Sequence, residues 1–342
     1  MARTTYFHMN NDKKIAIITG VTGQDGSYLA ELLLANGYEV HGLVRSFQLG
    51  NPDKALSNIL HLRENPLFRI HSGDVTDNQM LTKFVREVQP DEIYHLAAQS
   101  NTPKSFENAW DTFQTNTQST LSLLSIIKEV RPVARFYFAA SSELFGDAVE
   151  SPQNEKTPFN PNSPYGISKI AGFYLTKLYR KKHSLFACSG ICFSHESPRR
   201  ADIFVTKKIT STVARIKYGL ANELRLGNLE TKRDWGFSGD FVEAIWGMLQ
   251  QDQPDDYVIG TGENHSIKEF VERAFAYVGL DWEKYVVTDP AFFRPAETNP
   301  WLADISKAKR VLGWKPKTSF DDLIAMMMES DIDCVKREKE KS

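Results

Sequence analysis

Cysteine is scarce in this chain of 342 residues, and the sequence also lacks long apolar runs. Its three cysteines, Cys188, Cys192 and Cys334, form neither a metal-ligand spacing nor an even set of disulfide partners. This pattern predicts reduced thiols in a cytoplasmic protein. No uninterrupted apolar run reaches the ~18 residues of a membrane span, and residues 1–12 lack the apolar core of a signal peptide.

The chain also lacks an excess of either charge. Its 41 basic and 43 acidic residues give a formal net charge of -2, whereas a non-specific nucleic-acid binder normally has a basic bias. With 41% hydrophobic and 25% charged residues, the composition is that of an ordinary globular protein with one large or two smaller domains. We therefore expect neither nucleic acid nor a membrane as a partner, and no bound metal.

The strongest fold signal lies near the start of the chain. An apolar run at 14–18 is followed by a glycine-rich turn and an amphipathic stretch at 27–34. Strand, turn and helix in this order are typical of the phosphate-binding half of a dinucleotide fold. Gly20, Gly23 and Gly26 recur at every third residue, a spacing that differs from the dehydrogenase fingerprint. The glycine spacing alone is weak evidence, and the prediction depends on the strand and helix on either side of the turn.

The second predicted strand, at 39–44, ends before Arg45 and Ser46. A protein that binds NAD usually has an acidic residue there for the ribose hydroxyl. A cation suits a 2′-phosphate instead, so the sequence favours NADP, with NAD as the less favoured cofactor. Arg45 is also compatible with a solvated strand end.

Strands and helices continue to alternate along the first 200 residues. Further strands are predicted at 68–72, 92–98, 134–139 and 186–193, and helices at 78–88, 110–130 and 163–183. This alternation predicts an α/β fold with a Rossmann-type, doubly wound parallel sheet.

Beyond residue 200 the alternation loosens, which predicts a smaller, discontinuous α/β substrate-binding domain. Its segments are 201–235 and 262–336, while 13–200 and 236–261 form the NADP-binding domain. Helices are predicted at 204–218, 239–250, 267–278 and 319–335, with a short strand at 223–226. Residues 1–12 are predicted to be a flexible arm and 336–342 a frayed tail.

Residues able to do chemistry cluster between 140 and 169. Tyr165 and Lys169 are four residues apart on a predicted helix and share one face. A nearby ammonium favours the phenolate and would make tyrosine a usable base near neutral pH. Ser141 and Glu143 follow a predicted strand, where open α/β sheets place their chemistry. Taken alone, a Tyr/Lys pair at this spacing is more often an ordinary surface pair.

With these motifs in one chain, the sequence resembles the extended short-chain dehydrogenases/reductases that act on nucleotide sugars. More narrowly, it resembles the GDP-mannose 4,6-dehydratase family over residues 14–333. The most specific matches are Ser-Glu-Leu-Phe-Gly, His-Glu-Ser-Pro-Arg-Arg, Lys-Arg-Asp-Trp-Gly, Phe-Arg-Pro-Ala-Glu and Leu-Gly-Trp-Lys-Pro.

The resemblance implies three sets of site residues. The catalytic set is Ser141, Glu143, Tyr165 and Lys169. The cofactor set is Gly20, Gly23, Gln24, Asp25, Gly26, Arg45, Asp74, Val75, Leu96, Ala97, Ala98, Gln99, Ser100, Lys169, His195 and Arg200. The substrate set is Ser142, Ser194, Glu196, Lys208, Leu226, Asn228, Arg233, Arg294 and Glu297.

The implied reaction converts GDP-mannose to GDP-4-keto-6-deoxy-mannose with NADP regenerated in each turnover. Tyr165 would take the proton of the C4 hydroxyl, and Glu143 would remove the C5 proton. Ser141 and Glu143 would assist the loss of water from C6. The resemblance also implies a homodimer or homotetramer, with the loop 45–56 as a place for subunit contact.

Four positions depart from the family pattern and leave the substrate open. Ser141 stands in place of threonine, Ser194 in place of asparagine and Ser46 in place of a second arginine, while 115–118 replaces a Val-Asp-Gly run. The alternatives are a 4,6-dehydratase of a related GDP-sugar such as GDP-manno-heptose, or a GDP-sugar epimerase or ketoreductase. A non-catalytic NADP-binding protein is a third alternative. Glu143 argues against simple epimerases and reductases, since these need no base at C5.

Overall fold

The computed structural model describes residues 13–45, 55–292 and 300–340. Seven strands of this part form one parallel sheet, in the order β11-β6-β5-β4-β1-β2-β3. These strands are β1 (Ile15–Thr19), β2 (Glu39–Val44), β3 (Phe68–Ser72), β4 (Glu92–His95), β5 (Arg135–Ser141), β6 (Ala187–Cys192) and β11 (Asp256–Ile259).

The strand order explains where a site can form. The chain winds outward from β1 through β2 and β3, and in the other direction from β4 through β5 and β6. The order reverses between β1 and β4, and ligands of open α/β sheets bind at the carboxyl ends beside such a reversal. The prediction of a Rossmann-type doubly wound sheet is confirmed.

Helices flank this sheet, and three more, at 205–217, 267–277 and 320–340, pack against one another outside it. On the described residues they are α1 (Gln24–Ala35), α2 (Asn78–Val88), α3 (Thr102–Glu107), α4 (Ala109–Phe113), α5 (Ser119–Val130), α6 (Pro164–His183), α7 (Val205–Lys217), α8 (Ser238–Met248), α9 (Ile267–Tyr277), α10 (Ser306–Leu312) and α11 (Phe320–Glu340). Helix α1 packs against α8, while α2 packs against α5 and α5 against α6.

Short strand pairs lie outside the main sheet, in the region where the sequence pattern loosens. They join β7 (Ser194–Glu196) to β10 (Trp235–Phe237), β8 (Leu224–Leu226) to β13 (Val286–Thr288), and β9 (Lys232–Arg233) to β12 (His265–Ser266). The pairing of β7 with β10 was not predicted, because strands of three residues carry almost no periodic signal.

Three predicted elements differ from the structure in detail. Strand β4 ends at His95 rather than at 98, because β1 ends at Thr19 and the chain turns away there. The predicted helix 110–130 contains a π-helical segment, Gln114–Gln118, between α4 and α5. Helix α11 continues past 335 to Glu340, and Glu338 forms an ion pair with Arg215 at 2.8 Å.

Buried apolar residues form two clusters. The first covers the main sheet, and the second lies among α7, α9 and α11. The side chains of Trp301, Ala303, Ile305, Ala308 and Trp314 belong to the first cluster, so the segment 262–336 contributes to both. The division of the chain into two functional domains stays a prediction.

Some predictions fall on residues that the structure does not describe. These are the N-terminal arm, Ser46, most of the loop 45–56, Arg294, Glu297 and the last two residues. Within the described ranges, no helix is long and apolar enough to cross a membrane. The same ranges contain no cluster of three His, Cys, Asp or Glu side chains that could hold a metal ion.

Candidate active site

The predicted catalytic residues meet where β5 ends and α6 begins. Ser163 caps α6, since its hydroxyl accepts a hydrogen bond from Gly166 N at 3.0 Å, and a proline follows at the first helical position. A Cβ on Gly166 would lie 2.7 Å from Glu143 O. A glycine therefore lets the first turn of α6 press against the turn that carries Glu143, which brings Tyr165 close to it.

Ser141, Glu143 and Tyr165 interact with one another. Ser141 Oγ accepts a hydrogen bond from Glu143 N at 3.3 Å. Burial raises the pKa of Tyr165, a hydrogen bond with Ser141 lowers it, and the charge of Glu143 raises it again. The three side chains that the sequence predicted as acid, base and hydroxyl therefore converge on one point.

Lys169 lies on the same face of α6 as Tyr165, as its spacing predicted. Its Nζ is 5.7 Å from the centroid of the Tyr165 ring and donates to Ala139 O at 2.8 Å. Burial lowers the pKa of Lys169 to about 8. The expectation of a lowered tyrosine pKa was wrong for this structure, because burial of the phenol outweighs its stabilising contacts.

The glycine-rich turn has the shape of an anion cradle. Gly20 has φ +75°, and a Cβ there would lie 2.9 Å from Ala97 N. A Cβ on Gly26 would lie 2.3 Å from Gly20 O, so α1 packs directly on the turn. Gly23 precedes α1 and has no side chain to cap the first N–H groups of the helix. These groups suit the pyrophosphate of a dinucleotide.

The side chains of Gln24 and Asp25 face the protein rather than this cradle. Gln24 Nε2 donates to His195 O at 2.9 Å, and Asp25 Oδ1 accepts from Ser238 Oγ at 2.7 Å. Asp25 Oδ2 lies 2.8 Å from His195 Nε2. Their predicted contact with a pyrophosphate is therefore limited to backbone groups.

His195 is held as a cation by this arrangement. Its Nδ1 lies 2.6 Å from Phe193 O and its Nε2 2.8 Å from an Asp25 oxygen, and neither oxygen can donate. Burial opposes both charges, but their mutual attraction outweighs it, so the pKa of His195 is raised and that of Asp25 is lowered. The ion pair joins the start of α1 to β7.

The remaining predicted cofactor residues lie at the carboxyl ends of neighbouring strands. Arg45 follows β2 and is exposed, and Asp74 and Val75 follow β3. Asp74 Oδ1 accepts hydrogen bonds from the backbone and hydroxyl of Thr76 at 2.9 and 2.7 Å. Residues 96–100 follow β4 on the same edge of the sheet.

Two buried groups were not predicted as part of this site. Asn116, in the π-helical segment, accepts from Gln99 N at 2.8 Å and donates to Gln99 O at 3.1 Å and Ser168 Oγ at 3.0 Å. His95 bonds Thr19 on β1 through Nδ1 at 2.8 Å. For His95 the available signal was a polar residue within an apolar run, whereas Asn116 lies in the polar stretch 114–120 and gave no such signal. The partners of both residues are distant in sequence.

The predicted substrate residues divide into buried and accessible groups. Ser142, Glu196 and Leu226 are each at most 4% exposed. Glu196 lies 2.9 Å from Arg200 Nε and accepts from Thr206 Oγ1 at 2.5 Å, so its carboxylate is already used by the protein.

The accessible group lies around β8, β9 and the start of β7. Lys208 Nζ donates to Arg225 O at 2.7 Å, and burial lowers its pKa. Asn228 Oδ1 accepts from Glu230 N at 2.9 Å. Arg233 lies over the ring of Trp301. Ser194 begins β7 two residues after the end of β6, the strand that pairs with β5.

A doubly wound sheet with this glycine turn, and with a Ser/Glu/Tyr/Lys cluster beside it, defines an extended short-chain dehydrogenase/reductase. A family model described as GDP-mannose 4,6 dehydratase matches residues 17–327. The chain is 48% identical over 337 residues to GDP-mannose 4,6 dehydratase 2 of Arabidopsis thaliana, covering 96% of this chain and 89% of that protein. It is 43% identical to the human GDP-mannose 4,6 dehydratase, covering 96% and 94%.

The chain belongs to the GDP-mannose 4,6-dehydratase family, which confirms the resemblance found in the sequence. Among solved structures, it is similar to the dTDP-glucose 4,6-dehydratase of Streptomyces venezuelae, solved with NAD and TYD bound. That likeness has a TM-score of 0.81 at 26% identity and covers 96% of this chain and 98% of the other.

Proposed function

We propose that this protein is a hydro-lyase that converts GDP-mannose to GDP-4-keto-6-deoxy-mannose. Relatives that carry the name GDP-mannose 4,6-dehydratase, at 43% and 48% identity over nearly the whole chain, support the reaction. The observation that carries the proposal is the convergence of Ser141, Glu143 and Tyr165 at the end of β5. A hydride-transfer site alone needs no carboxylate beside the tyrosine.

Tyr165 acts first, as the acceptor of the C4 hydroxyl proton. The hydroxyl of Ser141 favours the phenolate form, which is the active base, and the ammonium of Lys169 lies 5.7 Å from the centroid of the same ring. When bound, a nicotinamide dinucleotide supplies the hydride chemistry, taking hydride from C4 and returning it to C6. The ketone at C4 makes the C5 hydrogen acidic.

Glu143 then removes the C5 proton as a general base. The C6 hydroxyl leaves as water, with the proton from Glu143 and a hydrogen bond from Ser141. Once C6 is reduced, Glu143 delivers a solvent proton to C5, and Tyr165 releases to solvent the proton that it took from the C4 hydroxyl, which leaves a 4-keto-6-deoxy sugar. Atoms and electrons balance without an external reductant, since the hydride lost at C4 is regained at C6.

NADP, rather than NAD, is the proposed cofactor. The backbone of the turn with Gly20, Gly23 and Gly26 suits its pyrophosphate, and Asp74 with Val75 suits its adenine. Arg45 is a cation at the end of β2, where a 2′-phosphate is bound in this fold and an acidic residue would favour NAD. Residues 96–100, Lys169, His195 and Arg200 complete the proposed cofactor site.

The nucleotide diphosphate is proposed to bind at the accessible cations beyond β7. Lys208 and Arg233 carry charges that suit a diphosphate, and Ser194 and Asn228 offer hydrogen bonds to the sugar and nucleotide. In this view the parallel-sheet core binds the cofactor, and the second apolar cluster supports the GDP part.

One assay tests the reaction and the cofactor together. Purified protein is incubated with GDP-mannose without added reductant, and mass spectrometry should detect the loss of one water. Heat-denatured protein should release NADP rather than NAD. If GDP-mannose stays intact while GDP-manno-heptose is dehydrated, the substrate assignment is wrong and the reaction class stands. If neither sugar loses water, the proposed function is wrong.

A homodimer is the proposed assembly, because α6 presents an apolar stripe to solvent. Ile167, Tyr174 and Leu178 are 46, 54 and 47% exposed and share one face at helical spacing. Trp110 and Leu121, on the neighbouring helical segment, are 73 and 42% exposed. A two-fold axis beside α6 would cover the stripe with a second copy of itself.

A further inference from the structure

A short strip of chain, residues 300–304, is clamped between two fully buried polar side chains. On one side, Gln153 N donates to Leu302 O at 2.8 Å and Leu302 N donates to Gln153 Oε1 at 2.9 Å. On the other side, Asp234 Oδ2 accepts from Ala303 N at 3.1 Å. The strip therefore has a fixed place in the fold, with partners on both sides.

Trp301 projects from this strip and contacts two parts of the candidate site. Its side chain is 5% exposed, and its indole Nε1 donates to Gly146 O at 3.1 Å. The face of the same ring lies 4.8 Å from the guanidinium carbon of Arg233, a cation–π distance. One side chain thus joins the catalytic loop, residues 141–146, to a cation of the proposed diphosphate site.

Gly146 is well placed to transmit this contact. It has φ +50°, and a Cβ there would lie 2.1 Å from Asn160 O, so the two backbone segments are in direct contact. Asn160 N also donates to Leu144 O at 3.2 Å. The indole N–H therefore restrains the loop that carries Glu143, and this loop contacts the segment that leads through Asn160 to Tyr165 at the start of α6.

We propose that Trp301 is a positioning residue that couples diphosphate binding at Arg233 to the geometry of the catalytic loop. The inference rests on the proposed function, because it takes Arg233 as a ligand of the nucleotide diphosphate. A diphosphate at Arg233 holds the guanidinium on the indole face, and the indole N–H holds the Gly146 carbonyl. The ring thereby sets the distance between the anchored diphosphate and the proton-transfer groups.

The two contacts of the indole can be separated by substitution. Trp301→Phe keeps an aromatic face for Arg233 and removes the N–H, whereas Trp301→Leu removes both. Trp314→Phe is a matched control, since Trp314 is 6% exposed, lies in the same apolar cluster and donates its indole N–H to Asp240 O at 2.8 Å. That bond ends on α8 rather than on the catalytic loop.

The expected results differ between the two Trp301 variants. Trp301→Phe should lower kcat about tenfold and leave the Kd for GDP within about twofold, because only the loop is released. Trp301→Leu should lower kcat similarly and also weaken GDP binding about fivefold, because Arg233 loses its aromatic support. Trp314→Phe should keep both constants within about twofold of wild type, because its indole N–H binds α8 rather than the catalytic loop.

Hydrogen–deuterium exchange gives a readout that needs no turnover. GDP should slow amide exchange in peptides covering residues 141–147 of the wild type and of Trp314→Phe. The same ligand should give little or no protection of these peptides in Trp301→Leu. A protein that is folded by circular dichroism but lacks this difference would contradict the coupling.

The outcomes separate this inference from the proposed function. If GDP binds and protects the loop through Trp301 but GDP-mannose is not dehydrated, the coupling stands and the proposed function is wrong. If GDP-mannose is dehydrated and both Trp301 variants match Trp314→Phe in kcat, Kd and exchange, the coupling is overturned. Absence of GDP binding by the wild type overturns both.

Discussion

In the proposed reaction, Glu143 is the residue that turns hydride transfer into dehydration. Glu143 lies in a 3-10 turn that follows β5, and its backbone N–H donates to Ser141 Oγ. The hydroxyl that contacts Tyr165 therefore also holds this turn. Thr102 Oγ1 also donates to Glu143 Oε1 at 3.4 Å. These contacts orient the Glu143 carboxylate at the end of β5.

Glu143→Gln should therefore block water loss while leaving the first step possible. We expect dehydration to fall at least about 10²-fold, because no base remains for the C5 proton. Tyr165 and Lys169 still serve C4 oxidation, so GDP-mannose should reduce part of the bound NADP. Single-turnover absorbance of reduced nicotinamide, with mass spectrometry of the sugar, measures both steps. Glu107→Gln, at an exposed carboxylate on α3, is the control, and full dehydration by Glu143→Gln would contradict the assignment.

For single residues, the sequence predicted the position of the catalytic side chains better than their pKa values. The spacing of Tyr165 and Lys169 correctly placed both on one face of α6. The direction of the tyrosine pKa was wrong, because its side chain is only 7% exposed and burial dominates the shift. Burial is a property of the packed molecule, and no local pattern around Tyr165 reports it.

At the scale of elements, a buried histidine links three parts of the fold at the site's floor. His95, at the end of β4, bonds Thr19 on β1 through Nδ1 and Ser119 on α5 through Nε2 at 2.9 Å. Burial, followed by the charge of Lys169, lowers the pKa of His95 to about 3. The neutral ring is therefore part of the native structure at neutral pH.

This histidine should make the fold sensitive to mild acid. The unfolded chain binds a proton at His95 near pH ~6.5, whereas the native state does not until about pH 3. The stabilisation is complete above the unfolded pKa and is lost as the pH falls through this window. Between pH 7 and pH 5 the loss from this group is about 2 kcal/mol.

Urea unfolding of the wild type and of His95→Gln at both pH values measures this loss. The variant should be less stable at pH 7, yet its free energy of unfolding should fall about 2 kcal/mol less on acidification. Equal falls in the two proteins would show that His95 does not carry the effect.

The ion pair of Asp25 and His195 has the opposite pH dependence. Because the pKa of His195 is raised in the native state, the stabilisation that it contributes is lost as the pH rises.

The helix that contains Asn116 shows what periodicity can and cannot predict. The run from 110 to 130 was correctly expected to be helical, but the π-helical segment Gln114–Gln118 was not. Its Asn116 amide satisfies both backbone groups of Gln99 and reaches Ser168 on α6. The π-helical turn is stabilised by these hydrogen bonds to residues distant in the sequence. Hydrophobic periodicity does not identify such partners.

At the scale of the whole molecule, the exposed apolar stripe lies on α6, the helix that also carries Tyr165. Tyr165 lies in the first turn of the helix whose outer face carries Ile167, Tyr174 and Leu178. A partner that covers this face would restrict the motion of α6 and of its catalytic turn. The proposed dimer would therefore support activity as well as stability.

Tyr174→Lys should weaken this assembly strongly. Around a two-fold axis each substitution places two ammonium groups near one another, which should raise the dimer dissociation constant by at least about tenfold. Light scattering after size-exclusion chromatography over a range of protein concentrations measures the change. Tyr277→Lys, at a 46% exposed tyrosine on α9, is the matched control. A wild-type protein that is monomeric throughout would contradict the proposed dimer.

Local sequence determined the class of fold, the family and the identity of the chemical groups. Alternating strands and helices, the glycine turn and the Ser141-to-Lys169 segment suffice for this, because hydrophobic periodicity and short motifs act over a few residues. Tertiary structure decided which side chains have protein partners, which are buried, and which parts of the site they join. It turned Gln24, Asp25 and Glu196 toward protein partners, buried Tyr165, and placed Trp301 between the catalytic loop and Arg233. These outcomes depend on contacts between residues far apart in the chain, whose packing sets both burial and partners.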